Sequence, residues 1–303
     1  MDFKPLFSKD YRKLKPFFRN LKYRLCAYSL PSIIAWRNKE YQPHGAVIDD
    51  SLIIRIEFTE KIENRHLLLP ISPTKEYQPE ELQKLALQSG IPSFWYVPED
   101  YIERFGRNRI ESCFIITEQK DFNDYIYRTE DLTTLKGNKY SKKRNLINQF
   151  KRNYLINGDV VMERMTPSVK SECLKFLDKW CDDRGCDIDE DVNLACEKQA
   201  LINTIENMQL LEVNGLILRR AGDIIAFGMA AHLTDEMGVL YFEKALSRLK
   251  GLYQYFDNLC AKHLLAGYTY INKESDMNIP GLARAKRSYH PVMIIKSYKL
   301  EVR

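Results

Sequence analysis

The order of structural elements in this chain runs twice. From the N-terminus, periodicity and turn signals give an extended lead and a helix started by Ser8, then a hairpin over Gly45 to Phe58 that turns at Asp49-Asp50-Ser51. A strand at Leu67 to Ile71, a helix from Glu80 to Ser89 closed by Gly90, and a strand at Phe94 to Val97 follow. A short helix to Phe105 and a strand at Cys113 to Thr117 end the first series. The second series opens with a strand at Val160 to Met165 and a helix started by Thr166 and Pro167. After a polar stretch, Asp182 to Asp191, come a helix over Leu194 to Met208 and a hairpin turning at Ala221-Gly222-Asp223. A strand at Gly238 to Glu243, a helix from Gly251 to Leu265, a strand at Tyr268 to Asn272, a short helix at Pro280 to Tyr289 and one last strand over Val292 to Leu300 complete it. Strands alternating with helices after a hairpin imply a mixed sheet with helices on both faces. At 303 residues the chain is too long for one ordinary core. Two α/β units are therefore expected, 1–145 and 146–303, joined by the basic segment near 140–155. No long residue identity joins the halves, so the duplication rests on element order alone.

Hydrophobic residues at 45% and charged ones at 29% support folded cores and exclude long disordered tracts. No window reaches eighteen uninterrupted apolar residues, and the opening M-D-F-K-P-L-F-S-K-D lacks a signal peptide's apolar region. A soluble, cytoplasmic protein without a transmembrane segment is expected. The seven cysteines are scattered, with no C-x-x-C pair and no zinc-ligand spacing. Neither a metal site nor a disulfide framework is expected. A net charge of +5 names no partner, but Lys136, Lys139, Lys142, Lys143, Arg144, Lys151 and Arg152 crowd one segment without an acid. Such a run either binds an anionic surface or is a solvated helix face.

Chemistry concentrates near the end, in N-K-E-S-D-M-N-I-P-G-L-A-R-A-K-R-S-Y-H-P over Asn272 to Pro291. Glu274 and Asp276 lie just past a strand, and Arg284, Lys286 and Arg287 share a short helix in which residues three or four apart are neighbours. Acids at a strand end beside a basic helix suit orientation of an amine and retention of a phosphate. The same charges also suit a helix dipole. Upstream, Tyr241-Phe242-Glu243 ends a strand, and Arg248-Leu249-Lys250-Gly251 opens the next helix, whose first N–H groups are unpaired and form an anion cradle. The first half has no matching cradle after Ile71, so the second half is expected to hold the active site. His232, on an apolar strand, reads as a core histidine, and His290 as structural. No serine elbow or Walker loop is present.

The turn at Arg248 and Gly251 resembles the R/Q-x-x-G-x-G/A signature of the acyl-CoA N-acyltransferase (GNAT-like) fold, with Tyr253 standing where Gly or Ala is usual. Together with D-L-T-T-L-K-G-N-K-Y-S-K-K-R-N-L-I-N-Q-F-K-R-N-Y and the closing motif, the whole chain resembles the soluble tandem-GNAT family related to the phosphatidylglycerol lysyltransferase C-terminal domain. The resemblance implies two tandem GNAT-like units. It also implies kinship with Fem-type enzymes, which move an aminoacyl group from charged tRNA to an amine or hydroxyl. Glu274, Asp276, Gly281, Arg284, Lys286, Tyr289 and Pro291 match the closing motif, and Lys139, Lys142, Lys143, Arg144 and Asn145 the connector.

On that basis Glu243, Glu274, Asp276 and Tyr289 are the expected catalytic residues. Arg248, Gly251, Arg284, Lys286, Lys142, Lys143 and Arg144 are expected to bind substrate or phosphate. Glu243, Glu274 or Asp276 recognises or deprotonates an amine, strand N–H groups near Tyr241 to Glu243 face the oxyanion, and Tyr289 protonates a leaving oxygen. No covalent cofactor is required. The basic connector favours aminoacyl-tRNA as donor, with tRNA as partner. Acyl-CoA is the alternative donor, and a small molecule, lipid headgroup or peptide the acceptor. A non-catalytic RNA- or peptide-binding module on the same fold is the alternative of a different class.

Overall fold

A computed structural model describes residues 1–155, 158–182 and 192–303. The first half forms β1 (Lys4–Pro5), α1 (Tyr11–Leu14), α2 (Leu30–Ala35), the hairpin β2 (Tyr41–Ile48) and β3 (Ser51–Phe58), and β4 (His66–Leu67). It continues as α3 (Pro79–Ser89), β5 (Ser93–Pro98), α4 (Glu99–Phe105), α5 (Arg107–Cys113) and β6 (Phe114–Glu118). A further strand, β7 (Asp124–Arg128), leads through α6 (Thr129–Thr134) to the basic helix α7 (Ser141–Phe150). The second half runs β8 (Val160–Arg164), α8 (Lys170–Asp182), α9 (Val192–Asn207), β9 (Asn214–Arg220), β10 (Asp223–Thr234) and β11 (Met237–Ala245). It closes with α10 (Leu252–His263), β12 (Tyr270–Asn272), α11 (Pro280–Arg287), β13 (Met293–Ile295) and β14 (Ser297–Val302). Most of the polar stretch Asp182 to Asp191 lies outside the described residues.

Local chemistry explains the boundaries. Asp49 takes a left-handed φ at the tip of the β2–β3 hairpin, a conformation short polar side chains tolerate. Pro79 opens α3, where its missing N–H costs nothing, and left-handed Gly90 closes it.

Each sheet is mixed, and the two have the same plan. The first runs β1-β2-β3-β4-β5-β14-β6 and the second β13-β7-β12-β11-β10-β9-β8. In each, one parallel pair (β4 with β5, β11 with β12) sits among antiparallel neighbours. The division at 145 fails at the level of the sheets. β14, from the C-terminus, lies between β5 and β6 of the first sheet, and β7, from the first half, lies between β12 and β13 of the second. Each unit lends an inner strand to the other. The last strand expected over Val292 to Leu300 is accordingly two strands in different sheets, parted at Lys296. One hydrophobic core runs through both units, and a small satellite of Leu135, Tyr140 and Ile147 lies under α7.

Cys181 is disulfide-bonded, a single bond that the scattered spacing of the cysteines does not signal, whereas Cys26, Cys113, Cys173, Cys196 and Cys260 are free. His232 is exposed and touches the Tyr268 hydroxyl at 3.3 Å, so the reading as a core histidine is also corrected. Among the described residues, no helix is long and apolar enough to cross a membrane, and no group of three His, Cys, Asp or Glu side chains could hold a metal ion.

Candidate active site

The site arises where two parallel strands part. β11 and β12 pair only from Met237 and Tyr270 to Val239 and Asn272, after which β11 continues to Ala245 and the other strand ends. The pairing of β11 with β10 slips at Tyr241, a bulge that leaves this residue without a cross-strand partner. Beyond the bulge Glu243 faces α10, on the side of its partner Gly228, while Lys244 faces α8 and α9. The wedge between the strand ends opens at the carboxyl end of a parallel pair, the usual place for a site in an α/β fold.

Lys273, the first residue past β12, fills the wedge. Its ammonium lies 2.9 Å from Glu243 and 2.5 Å from Asp257 on α10. Burial works against its charge, but Asp257 and Glu243 outweigh that and hold its pKa well above the ordinary value. Burial and the nearby Asp257 raise Glu243 to about 7, although Lys273 pulls it down. The buried Tyr289 hydroxyl bonds to Asp257, and its pKa is pushed far up by burial and by Asp257 and Glu243. Lys143 closes this side, with its ammonium 3.7 Å from the Tyr289 ring centre and 2.7 Å from the Ser288 hydroxyl. Burial lowers the Lys143 pKa.

A second group lies behind the first. The Lys286 ammonium donates to the carbonyls of Lys273, Glu274 (3.0 Å) and Ser275 (2.7 Å), tying α11 to the segment after β12. Burial lowers its pKa, against the pull of Glu274. Glu274 adopts a left-handed φ of 57°, and burial raises its carboxyl to about 8 while Lys286 opposes that rise. Asp124, at the start of the exchanged strand, accepts the Cys26 backbone N–H (2.6 Å) and Asn272 Nδ2 (2.7 Å). Tyr125 donates to Asp276 at 2.6 Å, and Tyr127 donates to the Lys286 carbonyl at 2.8 Å. The first half thus supplies part of the wall through β7.

Glu243, Glu274, Asp276, Tyr289, Lys286 and Lys143 therefore converge on one region. The other expected residues stand apart from it. Arg144 donates to the carbonyls of Leu135 and Gly137, Lys142 is exposed, and Arg284 lies exposed on α11. Arg248 lies in the turn before α10, and Gly251 caps that helix with φ 87°. A Cβ on Gly251 would come within 2.1 Å of the Leu146 carbonyl, so glycine is required there by the close approach of α7. Tyr253 accepts a hydrogen bond from Trp180 Nε1 at 2.9 Å. The corresponding helix start in the first unit is acidic: Glu81 accepts the Gln78 N–H at 2.9 Å and Glu80 pairs with Arg109.

Asp257 and Lys273 were not among the residues expected from sequence. Lys273 stood unassigned inside the closing motif. Asp257 carried a usable signal, an acid set among Phe256, Leu259 and Cys260 on the buried face of α10.

Two mixed sheets, each with one parallel pair among antiparallel neighbours, give the chain a tandem GNAT-like α/β fold. The chain belongs to the family of the phosphatidylglycerol lysyltransferase C-terminal domain, whose model matches residues 18–301. A conserved protein of unknown function from Bacteroides thetaiotaomicron VPI-5482 is 30% identical, with a TM-score of 0.89 over 100% of both chains. The C-terminal domain of a protein named as a lysylphosphatidylglycerol synthetase from Agrobacterium fabrum shares the fold at 13% identity and a TM-score of 0.63, over 97% of this chain and 91% of that one. An uncharacterized protein of Mycoplasmoides gallisepticum is 26% identical over 182 residues, 59% of this chain. The match spans 56% of that relative, little more than half its length.

Proposed function

We propose that the chain transfers an aminoacyl group from aminoacyl-tRNA to an amine or hydroxyl of a small-molecule, lipid-headgroup or peptide acceptor, in the wedge between β11 and β12. The observation that carries this reading is Glu243, a buried carboxyl raised to about 7 beside Lys273, Asp257 and Tyr289. A base of that strength is half ionised near neutrality, where proton transfer is most effective. Glu243 takes the proton of the attacking amine or hydroxyl as its nitrogen or oxygen bonds to the ester carbonyl carbon. Lys273, still held by Asp257, and the N–H groups at the Tyr241 bulge stabilise the oxyanion. The ester C–O bond then breaks, and Tyr289 gives its proton to the departing ribose oxygen. The proton held by Glu243 returns to the phenolate by way of Lys273 and Asp257, so that both groups end as they began. Asp276 holds the ammonium of the donor's amino acid, and Glu274, its carboxyl mostly protonated below pH 8, offers it a neutral carbonyl oxygen.

Exposed Lys136, Lys139, Lys142, Lys151 and Arg152 around α7 support a nucleic-acid donor. The Arg248-x-x-Gly251 turn supports acyl-CoA as the alternative, although α7 occupies the space over Gly251. Purified chain should be offered labelled aminoacyl-tRNAs and, separately, labelled acyl-CoA, with phosphatidylglycerol vesicles, amines and peptides as acceptors. Transfer from tRNA that disappears in a folded Glu243→Gln variant supports the reading. Transfer from acyl-CoA alone moves the donor to the alternative. RNA or peptide binding with no transfer from either donor would make the chain a binding module.

A further inference from the structure

α11 is held in place without burying any of its own residues. Its anchors are polar. The Lys286 ammonium donates to the carbonyls of Glu274 and Ser275, and Tyr127 donates to the Lys286 carbonyl. A short helix ordinarily gains its stability by packing an apolar stripe against the core. Here the apolar side chains stay in solvent. Met277 and Ile279, which lead into the helix, are 50% and 51% exposed, and Leu282 in its first turn is 37% exposed.

The sheet edge adds two more at the same corner. Ile294 stands opposite Tyr125 in the β13–β7 pair, so both side chains lie on one face of the sheet. The Tyr125 hydroxyl reaches Asp276, the neighbour of Met277. Val292, exposed like Ile294, lies two residues before it. Of the thirteen large apolar side chains exposed among the described residues, five thus fall between 277 and 294. Single exposed apolar residues need no explanation, but a cluster marks an interaction surface.

The charge around the cluster has one sign. No acid occurs between Asp276 and Glu301. Arg284 is exposed and has no carboxylate partner among the described residues, and exposed Arg287 lies against the Tyr125 hydroxyl. Lys143 joins the end of the helix to α7 through Ser288, which brings exposed Lys142 to that end. Apolar side chains rimmed by cations suit an anionic bilayer, which takes the first at its acyl boundary and the second at its phosphates. An RNA backbone would pair with the arginines but gain nothing from Met277, Ile279 and Leu282. A second copy docked by the same face would bring like charges together.

We propose that the start of α11 and the β13 edge dock this protein peripherally on an anionic phospholipid surface, with Met277, Ile279 and Leu282 entering the interface and Arg284 and Arg287 at the headgroup phosphates. The proposal concerns binding alone and holds whatever reaction the wedge performs.

Co-sedimentation of the full chain with vesicles of phosphatidylcholine, and with vesicles of equal parts phosphatidylcholine and phosphatidylglycerol, tests it. The chain should bind the anionic vesicles at least about tenfold more tightly than the neutral ones, and binding should weaken as salt rises. Ile279→Asn combined with Leu282→Asn keeps every cation and changes only exposed positions. That variant should bind the anionic vesicles about tenfold more weakly at an unchanged melting temperature. Arg284→Gln should cost about fivefold on the same vesicles. Failure to sediment with anionic vesicles at low salt overturns the proposal. So does sedimentation that the double variant leaves intact, which would assign the attraction to the basic connector alone. A chain that ignores vesicles but binds tRNA, or forms a dimer in size-exclusion chromatography that the double variant dissolves, gives the face to RNA or to a second copy and overturns it as well.

Discussion

Glu243 and Glu274 tie the chemistry of the wedge to pH. Burial holds both carboxyls above their ordinary value of 4.5, at about 7 and about 8. Between pH 4.5 and those values the folded chain keeps protons that the unfolded chain has lost, so stability falls as the pH rises through this window. Glu274→Gln removes its share of that loss. At pH 8.5, above a carboxyl held at about 8 instead of 4.5, the variant should melt roughly 10 °C above the parent, a gain of about 4 kcal/mol, and at pH 4 it should show no gain. Thermal denaturation at the two pH values checks this, and an equal gain at both would reject it. Glu243 has a kinetic counterpart. If it is the base, kcat/KM should climb with pH and level off above about 7, and Glu243→Gln should lose about 10²–10⁴ in rate without losing its fold. A pH profile unchanged by the substitution would remove Glu243 from the mechanism. Lys286 belongs to the same region but acts on shape. Lys286→Met would leave three carbonyls around Lys273 to Ser275 short of a donor and should cost about 2–4 kcal/mol in denaturant unfolding.

At the scale of elements, the basic helix α7 is a structural partner of α10 as much as a charged surface. Its Leu146 carbonyl sits against Gly251, its Phe150 ring stacks on Tyr255 at 5.1 Å, and Lys143 reaches over Tyr289. Gly251 and Gly90 both have a left-handed φ, 87° and 69°, but only Gly251 meets a neighbour where a Cβ would be. Gly90→Ala should therefore cost about 1 kcal/mol, the backbone term alone. Gly251→Ala should cost at least about 2 kcal/mol more, because the clash is with backbone. Equal losses in the two variants would mean that α7 yields freely. This helix also marks what could be read from the sequence. Its charge run was visible, but only packing decides that Lys143 and Arg144 turn inward while Lys142 stays out. Strands with alternating patterns, such as β2 and β3, were legible for the same local reason that they form. β7 was not, because D-Y-I-Y-R is buried on both faces and carries no alternation. Val292 to Leu300 read as one strand because the break at Lys296 is set by two distant sheets. In the site, strand-end acids and the closing motif were legible. The ion pairs of Lys273 with Glu243 and Asp257 were not, since they join three elements distant in sequence.

The reciprocal exchange of strands makes the two units one folding body, and it builds the wall of the candidate site from both halves. β7 brings Asp124, Tyr125 and Tyr127 to the second unit's site. β14 brings Tyr298 and Leu300, both buried, to the first unit's core. A piece ending at 145 would lack β14 between β5 and β6 and would expose β7 as an unpaired strand. A piece starting at 146 would lack β7 between β12 and β13 and would carry β14 free. Losing an inner strand opens two new sheet edges and removes core side chains together, a larger defect than losing an edge strand. Pieces 1–145 and 146–303 expressed separately should therefore show no cooperative thermal transition. Mixed during refolding, they should recover a 1:1 complex with a single transition, because each holds the strand the other lacks. Size-exclusion chromatography and thermal denaturation of the separate and mixed pieces decide the matter. A cooperative transition in either piece alone would mean that the lent strand is dispensable and that each unit folds by itself.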